Sequence, residues 1–154
     1  MRLKDCYRTD DFRRLAQRRL PAPIFHYIDG GSDDEATLRR NTAAFDEVDL
    51  VPSVLAGLDS VDLSVSVLGA RLRMPLFFAP TALQRLFHHE GERAIARAAD
   101  KFGTMFCVST IGTRSIEELG ALTAAPKLFQ IYVHKDPGLT TNLIERCRAA
   151  GFNA

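Results

Sequence analysis

The sequence lacks most of the features that announce a specialised function. Its formal net charge at pH 7 is only +1, so no broad basic field exists to gather nucleic acid, and no nucleic-acid partner is expected. The cysteines, Cys6, Cys107 and Cys147, are odd in number and have no metal-ligand spacing. That argues against a disulfide framework and fits a reducing compartment. No apolar run approaches the roughly 20 residues of a spanning helix. Met1-Arg2-Leu3-Lys4-Asp5 is not followed by an apolar secretion segment. The expectation is a cytoplasmic protein. What is present is an ordinary globular balance: 46% hydrophobic and 25% charged residues in a chain of 154, enough for one real core.

Residues 1–47 read as helical and polar. An amphipathic stretch opens at Asp10-Asp11 and runs to Arg19, with Phe12, Leu15 and Ala16 on one face. Arg13, Arg14, Arg18 and Arg19 form a basic cluster on it, read as a solvated helix face. Pro21 and Pro23 break this helix. A short helix carrying Ile24, Phe25, Tyr27 and Ile28 comes next and stops at Gly30-Gly31. Ser32 is expected to cap a third helix that reaches about Phe45, with Asp33, Asp34 and Glu35 at its positive end. Val61, Leu63, Val65 and Val67 alternate with polar residues, which predicts a strand. With Gly69-Ala70 it makes a small hairpin, expected to seal one end of the strand–helix region beyond it.

From Met74 onward the order is strand, helix, strand, helix, strand, helix. The strands are Pro75–Ala82, Met105–Thr110 and Leu128–Val133. The first helix spans about Gly91 to Phe102, with Ile95, Ala98, Ala99 and Phe102 as its inner stripe. Ser115 and Glu118 predict a capping box for the second. The third comes after Pro137 and stops at Gly151, so Phe152-Asn153-Ala154 stands where a fourth strand would start. Continuous apolar strands alternating with helices predict a parallel sheet covered on its helical face. The glycine-rich first turn of a dinucleotide fold is missing, which favours a barrel. The expected organisation is residues 1–73 as N-terminal helices and sealing hairpin, and residues 74–154 as three βα units of an α/β, (β/α)8 TIM barrel.

Polar residues close each strand: Thr81 and Ala82, Ser109, then Gln130 and Tyr132. In a barrel, this is the rim that carries chemistry. The set contains hydroxyls, an amide and a phenol, but no carboxylate and no histidine. It suits a neutral, flat, hydrogen-bonding ring better than a metal or general acid–base work. Gln130 is the most telling member, because an amide inside an apolar strand must find partners or cost roughly 1–3 kcal/mol. Ser109 and Thr81 suit helix caps equally well. His88, His89 and Glu90 read as a helix-start loop, with no metal assigned.

Several ordered segments resemble the FMN-dependent α-hydroxy acid dehydrogenases and oxidases, which include glycolate oxidase and L-lactate dehydrogenase. They are Ile24–Glu35, Ala79–Gln84, His88–Glu92, Val108–Thr110 and Phe129–Asp136. The resemblance implies FMN as cofactor, with Thr81, Ala82, Ser109 and Gln130 as flavin contacts. It implies that Tyr27 and Tyr132 point hydroxyls at a small L-2-hydroxy acid, which is oxidised to the 2-oxo acid. It places the catalytic histidine, arginine and lysine on later strands and loops, so no catalytic residue is assigned within this chain. Homotetramers and peripheral attachment to the inner membrane occur among such proteins. A full barrel takes about 250 residues, whereas only residues 75–154 lie beyond Met74. The chain therefore reads as the N-terminal part of such an enzyme, or as an inactive fragment or half that needs a complementary half.

Overall fold

The computed structural model describes residues 2–154 and divides after Asp59 into two compact units. In the first, α1 (Thr9–Arg19) and α2 (Ala22–Asp29) bury one large side chain each, Leu15 and Phe25. The Asp11 carboxylate accepts from the N–H of Arg8, the residue that caps α1, and from that of Tyr7 just before it, holding the chain in place where the helix begins. Pro21 ends α1, and Pro23 sits in the first turn of α2, where its missing N–H costs nothing. Arg13 on α1 grips the Asp29 carboxylate, with Nη2 2.8 Å from Oδ2. Arg14 pairs with Asp10, and the basic cluster is exposed throughout.

The third helix, α3 (Ala36–Ala43), does not use Ser32 as its cap. Instead Glu35 occupies the cap position in the left-handed region at φ 57°. Its N–H donates to the Ser32 carbonyl, and its carboxylate accepts from the Gly31 N–H. The tight turn at 32–35 leaves Ser32 three residues too early to cap the helix. A 3-10 turn, Ala44–Glu47, continues α3.

The second unit is Ser60–Ala154. The predicted hairpin is present but short: β1 (Val65–Val67) pairs antiparallel with β2 (Ala70–Leu72). Val61 and Leu63 lie outside β1 and are exposed. Leu68 and Gly69 both have positive φ, as a two-residue hairpin turn of the primed kind requires. Ala70 and Leu72 pack on Met105, with Leu128 alongside. The hairpin therefore belongs with the later strands rather than with the N-terminal helices.

Two strands form the parallel sheet: β3 (Phe106–Ser109) and β4 (Lys127–Gln130), in register from Phe106↔Lys127 to Ser109↔Gln130. The strand expected at Pro75–Ala82 is reduced to a single parallel bridge, Phe78↔Phe106. Pro75 and Pro80 have no N–H to donate to a ladder, and Leu76 and Phe77 stay exposed. Beyond β4, the Asn153 N–H donates to the Lys127 carbonyl and the Phe129 N–H to the Ala154 carbonyl, each at 2.8 Å. The segment expected as a strand start thus lies on the free edge of β4.

Helices cover one face. Ala96 and Ala99 of α4 (Glu92–Phe102), Leu119 of α5 (Ile116–Leu122), Phe106 and Val108 make the core, with Phe78, Phe129 and Phe152 against it. The inner stripe of α4 is Glu92, Ile95, Ala96 and Ala99 rather than the predicted one. Phe102 is half exposed in the last turn, and Glu92 takes the inward place at the first. Only half the capping box forms: Ser115 Oγ accepts from the Glu118 N–H at 3.1 Å, but the Glu118 carboxylate pairs with Arg93. Close approach of α5 to α6 (Pro137–Ala149) depends on Gly120, where an added Cβ would lie 2.5 Å from the Ala150 carbonyl oxygen. The result is an α/β fold with helices on one sheet face and the hairpin packed on Met105 at the amino-terminal end of β3.

Candidate functional site

Side chains alternate along β3 and β4. Phe106, Val108 and Phe129 join the helix-side core, so Cys107, Ser109 and Gln130 project from the opposite face. At the carboxyl ends of the strands, register brings Ser109 beside Gln130. Ser109, almost fully buried, donates from Oγ to Gln130 Oε1 at 3.1 Å and accepts from the Ile111 N–H at 3.3 Å. The Thr110 N–H reaches the same amide oxygen at 3.4 Å. The strand amide thus has its acceptor satisfied, while its Nε2 donor has no protein partner among the described residues.

Thr110 is the residue that sequence reasoning missed at this knot. Its hydroxyl donates to the Gln130 carbonyl at 2.6 Å and accepts from the Tyr132 N–H at 2.9 Å. One side chain thereby replaces the sheet ladder just where β4 stops, and it turns the chain toward Tyr132. A threonine next to a serine at a strand end was the available signal, but hydroxyls are common in such turns.

Thr81 stands three residues past Phe78, whose bridge to Phe106 sets the start of this turn beside β3. Thr81 is exposed; its N–H donates to the Ala79 carbonyl, and its own carbonyl accepts from Gln84 Nε2. Neither the Thr81 hydroxyl nor the Ala82 N–H has a partner among the described residues. Leu83, left-handed at φ 52°, donates its N–H to the Ile111 carbonyl at 3.2 Å. The turn after the first segment is thus fastened to the turn after β3. Neither Ser109 nor Thr81 caps a helix: those positions belong to Ser115, Gly91 and Leu83.

Tyr132 lies in the same unit and is 57% exposed. Tyr27 lies on α2 of the other unit, also exposed. The thiols near the sheet are poor nucleophiles. Burial raises the Cys107 pKa, and it pushes Cys147 up to about 11. His88 and Glu90 serve their own loop: His88 Nδ1 accepts from the Glu90 N–H, and Glu90 pairs with Arg97. Among the described residues, no group of His, Cys, Asp and Glu side chains is arranged to hold a metal ion.

A family model described as FMN-dependent dehydrogenase matches residues 16–154. The chain belongs to the FMN-dependent dehydrogenase family. It is 43% identical over 148 residues to an L-lactate oxidase of Nostoc sp., covering 94% of this chain and 40% of that protein. It is 37% identical over 144 residues to glycolate oxidase 1 of Oryza sativa subsp. indica, covering 94% of this chain and 39% of that protein. Among solved structures, mandelate oxidase superposes with a TM-score of 0.87 at 37% identity, over 93% of this chain and 41% of the other. The chain therefore spans about 40% of the length of the relatives it matches.

The donor set at the strand ends of this family member fits the isoalloxazine of FMN. That ring is planar and uncharged when oxidised, with carbonyl and ring-nitrogen acceptors along one side. Gln130 Nε2, the Thr81 hydroxyl and the Ala82 N–H are donors left over after the protein has satisfied its own acceptors. Among the described residues, no charged side chain enters the Ser109–Thr110–Gln130 hydrogen-bond knot, so a neutral ring meets no unpaired charge there.

Proposed function

We propose that this chain supplies the first strand ends of an FMN site in an enzyme that oxidises a small L-2-hydroxy acid, lactate- or glycolate-like, to the 2-oxo acid. Thr81 and Ala82 contact the flavin from the first turn, Ser109 and Gln130 from the next two strands. FMN, when bound, supplies the chemistry by accepting two electrons and the α-hydrogen of the substrate. The residues of this chain orient and hydrogen-bond. Ser109 and Thr110 lock the Gln130 amide so that its N–H side faces outward, and Thr110 fixes the backbone that carries Tyr132. Tyr132, exposed just beyond the end of β4, offers its hydroxyl to the substrate. Proton abstraction falls to residues outside these positions.

The observation that carries this reading is the one-sided satisfaction of Gln130: acceptor used, donor spare, at the last residue of β4. A titration of FMN monitored by quenching of flavin fluorescence tests it. Saturable binding by the unaltered chain is expected, and Gln130→Ala weakens it about tenfold, the worth of roughly one hydrogen bond of 1.4 kcal/mol. Flavin fluorescence that stays unquenched at every protein concentration refutes the proposal.

A further inference from the structure

Glu92 is the residue that the proposed flavin contacts leave unexplained. It is 2% exposed at the inward position of the first turn of α4. No lysine, arginine or histidine pairs with it among the described residues, although burying an unpaired carboxylate is costly. Its two oxygens are both used on one residue of the opposite turn. Oε1 accepts the Thr113 N–H at 2.8 Å, and Oε2 accepts the Thr113 hydroxyl at 2.6 Å. That hydroxyl in turn accepts the Arg85 N–H at 3.3 Å. A carboxylate on α4 thus reaches, through one side chain, the backbone of the turn just beyond Thr81 and Ala82.

The surrounding backbone is shaped to allow this. Gly91 has φ 56° and ψ −136°, a region that essentially only glycine enters. A Cβ there would lie 2.7 Å from Arg85 Cγ and 3.1 Å from Thr113 Oγ1. The turn starting at Thr81 can therefore fold back against the start of α4 only because position 91 has no side chain. A few residues away, the Leu83 N–H meets the Ile111 carbonyl, so the two turns are joined at two levels.

We propose that Glu92 is a positioning residue: acting through the Thr113 hydroxyl, it sets the spacing between the turn bearing Thr81 and Ala82 and the turn bearing Ser109 and Thr110. This rests on the reading of Thr81, Ala82 and Ser109 as flavin contacts. Mere packing of α4 would be served as well by an apolar residue. A bidentate carboxylate aimed at one threonine imposes a distance and a direction.

Backbone hydrogen exchange and FMN titration on the whole chain test the proposal with Glu92→Gln, Thr113→Val and Thr113→Ser. Thr113→Val keeps the volume and removes the hydroxyl, so it remains informative if the Glu92 variant fails to fold. Expected are an acceleration of about tenfold at the Leu83 and Arg85 amides in Thr113→Val, with the Phe106 and Cys107 amides unchanged within about twofold. FMN affinity should fall about tenfold in the same variant, and Thr113→Ser should restore both. Equal acceleration at all four amides makes Glu92 a general packing residue and overturns the proposal. So does faster turn exchange with undiminished FMN affinity. If the unaltered chain binds no FMN, the flavin reading fails, and the exchange pattern still decides whether Glu92 and Thr113 tie the two turns together.

Discussion

The two units solve the same problem with different means. The first, ending at Asp59, buries only Leu15 and Phe25 among the large apolar side chains of its described residues. The rest of its order comes from caps, prolines and the Arg13–Asp29 pair. The second has a continuous core of alanines, phenylalanines, valine and leucine between sheet and helices. It too has an arginine–carboxylate fork across helices, Arg146 on Glu117 at 2.7 and 3.0 Å. Similar ion pairs therefore sit on very different foundations. Exposed pairs contribute little on their own, so the apolar core, not the number of charges, should separate the two units in stability.

Breaking the second core is the largest test. Phe106→Ala should cost about 3–5 kcal/mol, read as a fall in the denaturation midpoint of the Ser60–Ala154 unit by exchange-resolved mass spectrometry. Peptides of α1 and α2, monitored in the same experiment, show whether the units melt separately. Leu15→Ala should cost about 2 kcal/mol, near the low end for a leucine, because so small a cluster collapses readily around the gap. A loss equal to that of Phe106→Ala would erase the contrast.

Arg13→Ala should loosen the α1 and α2 amides by about two- to fivefold, whereas Arg146→Ala should change those of α5 by less than about twofold. The reverse order would show that the second unit also leans on its ion pair. The smallest effect concerns acid. Arg146 hydrogen-bonds Glu117 and lowers its pKa from 4.5 to about 2. A carboxylate depressed on folding stabilises the folded state above its unfolded pKa, and that contribution is lost as pH falls through the folded value. Glu117→Gln should therefore flatten the acid limb of the stability curve slightly between about pH 4.5 and 2. A steep change above pH 5 would mean that another group controls it.

How much of this was legible beforehand varied with the kind of signal. Helix ends at Pro21, Gly103 and Gly151 were readable because proline and glycine act on their own backbone. The polar ends of β3 and β4 were readable because strand period and polarity coincide at Ser109 and Gln130. The weak first strand was not, since its apolar side chains speak for burial while Pro75 and Pro80 withhold the N–H groups a ladder needs. The Ser32 cap failed for a similar reason: cap preference is local, and the left-handed turn at Glu35 outranked it. Thr110, Thr113 and Glu92 were silent, because each matters only through a partner 20 or more residues away.

The amino-acid order alone settled the alternation of helices and strands from α4 to α6, the α/β class and the polar character of the strand ends, since those come from periodicity and from residues that constrain their own φ and ψ. Which polar atoms are spent within the protein and which are left for a ligand was decided only in three dimensions. Hydrogen-bond satisfaction at Gln130, Thr110 and Glu92 is a property of atoms that meet across the fold, and no local pattern records who meets whom.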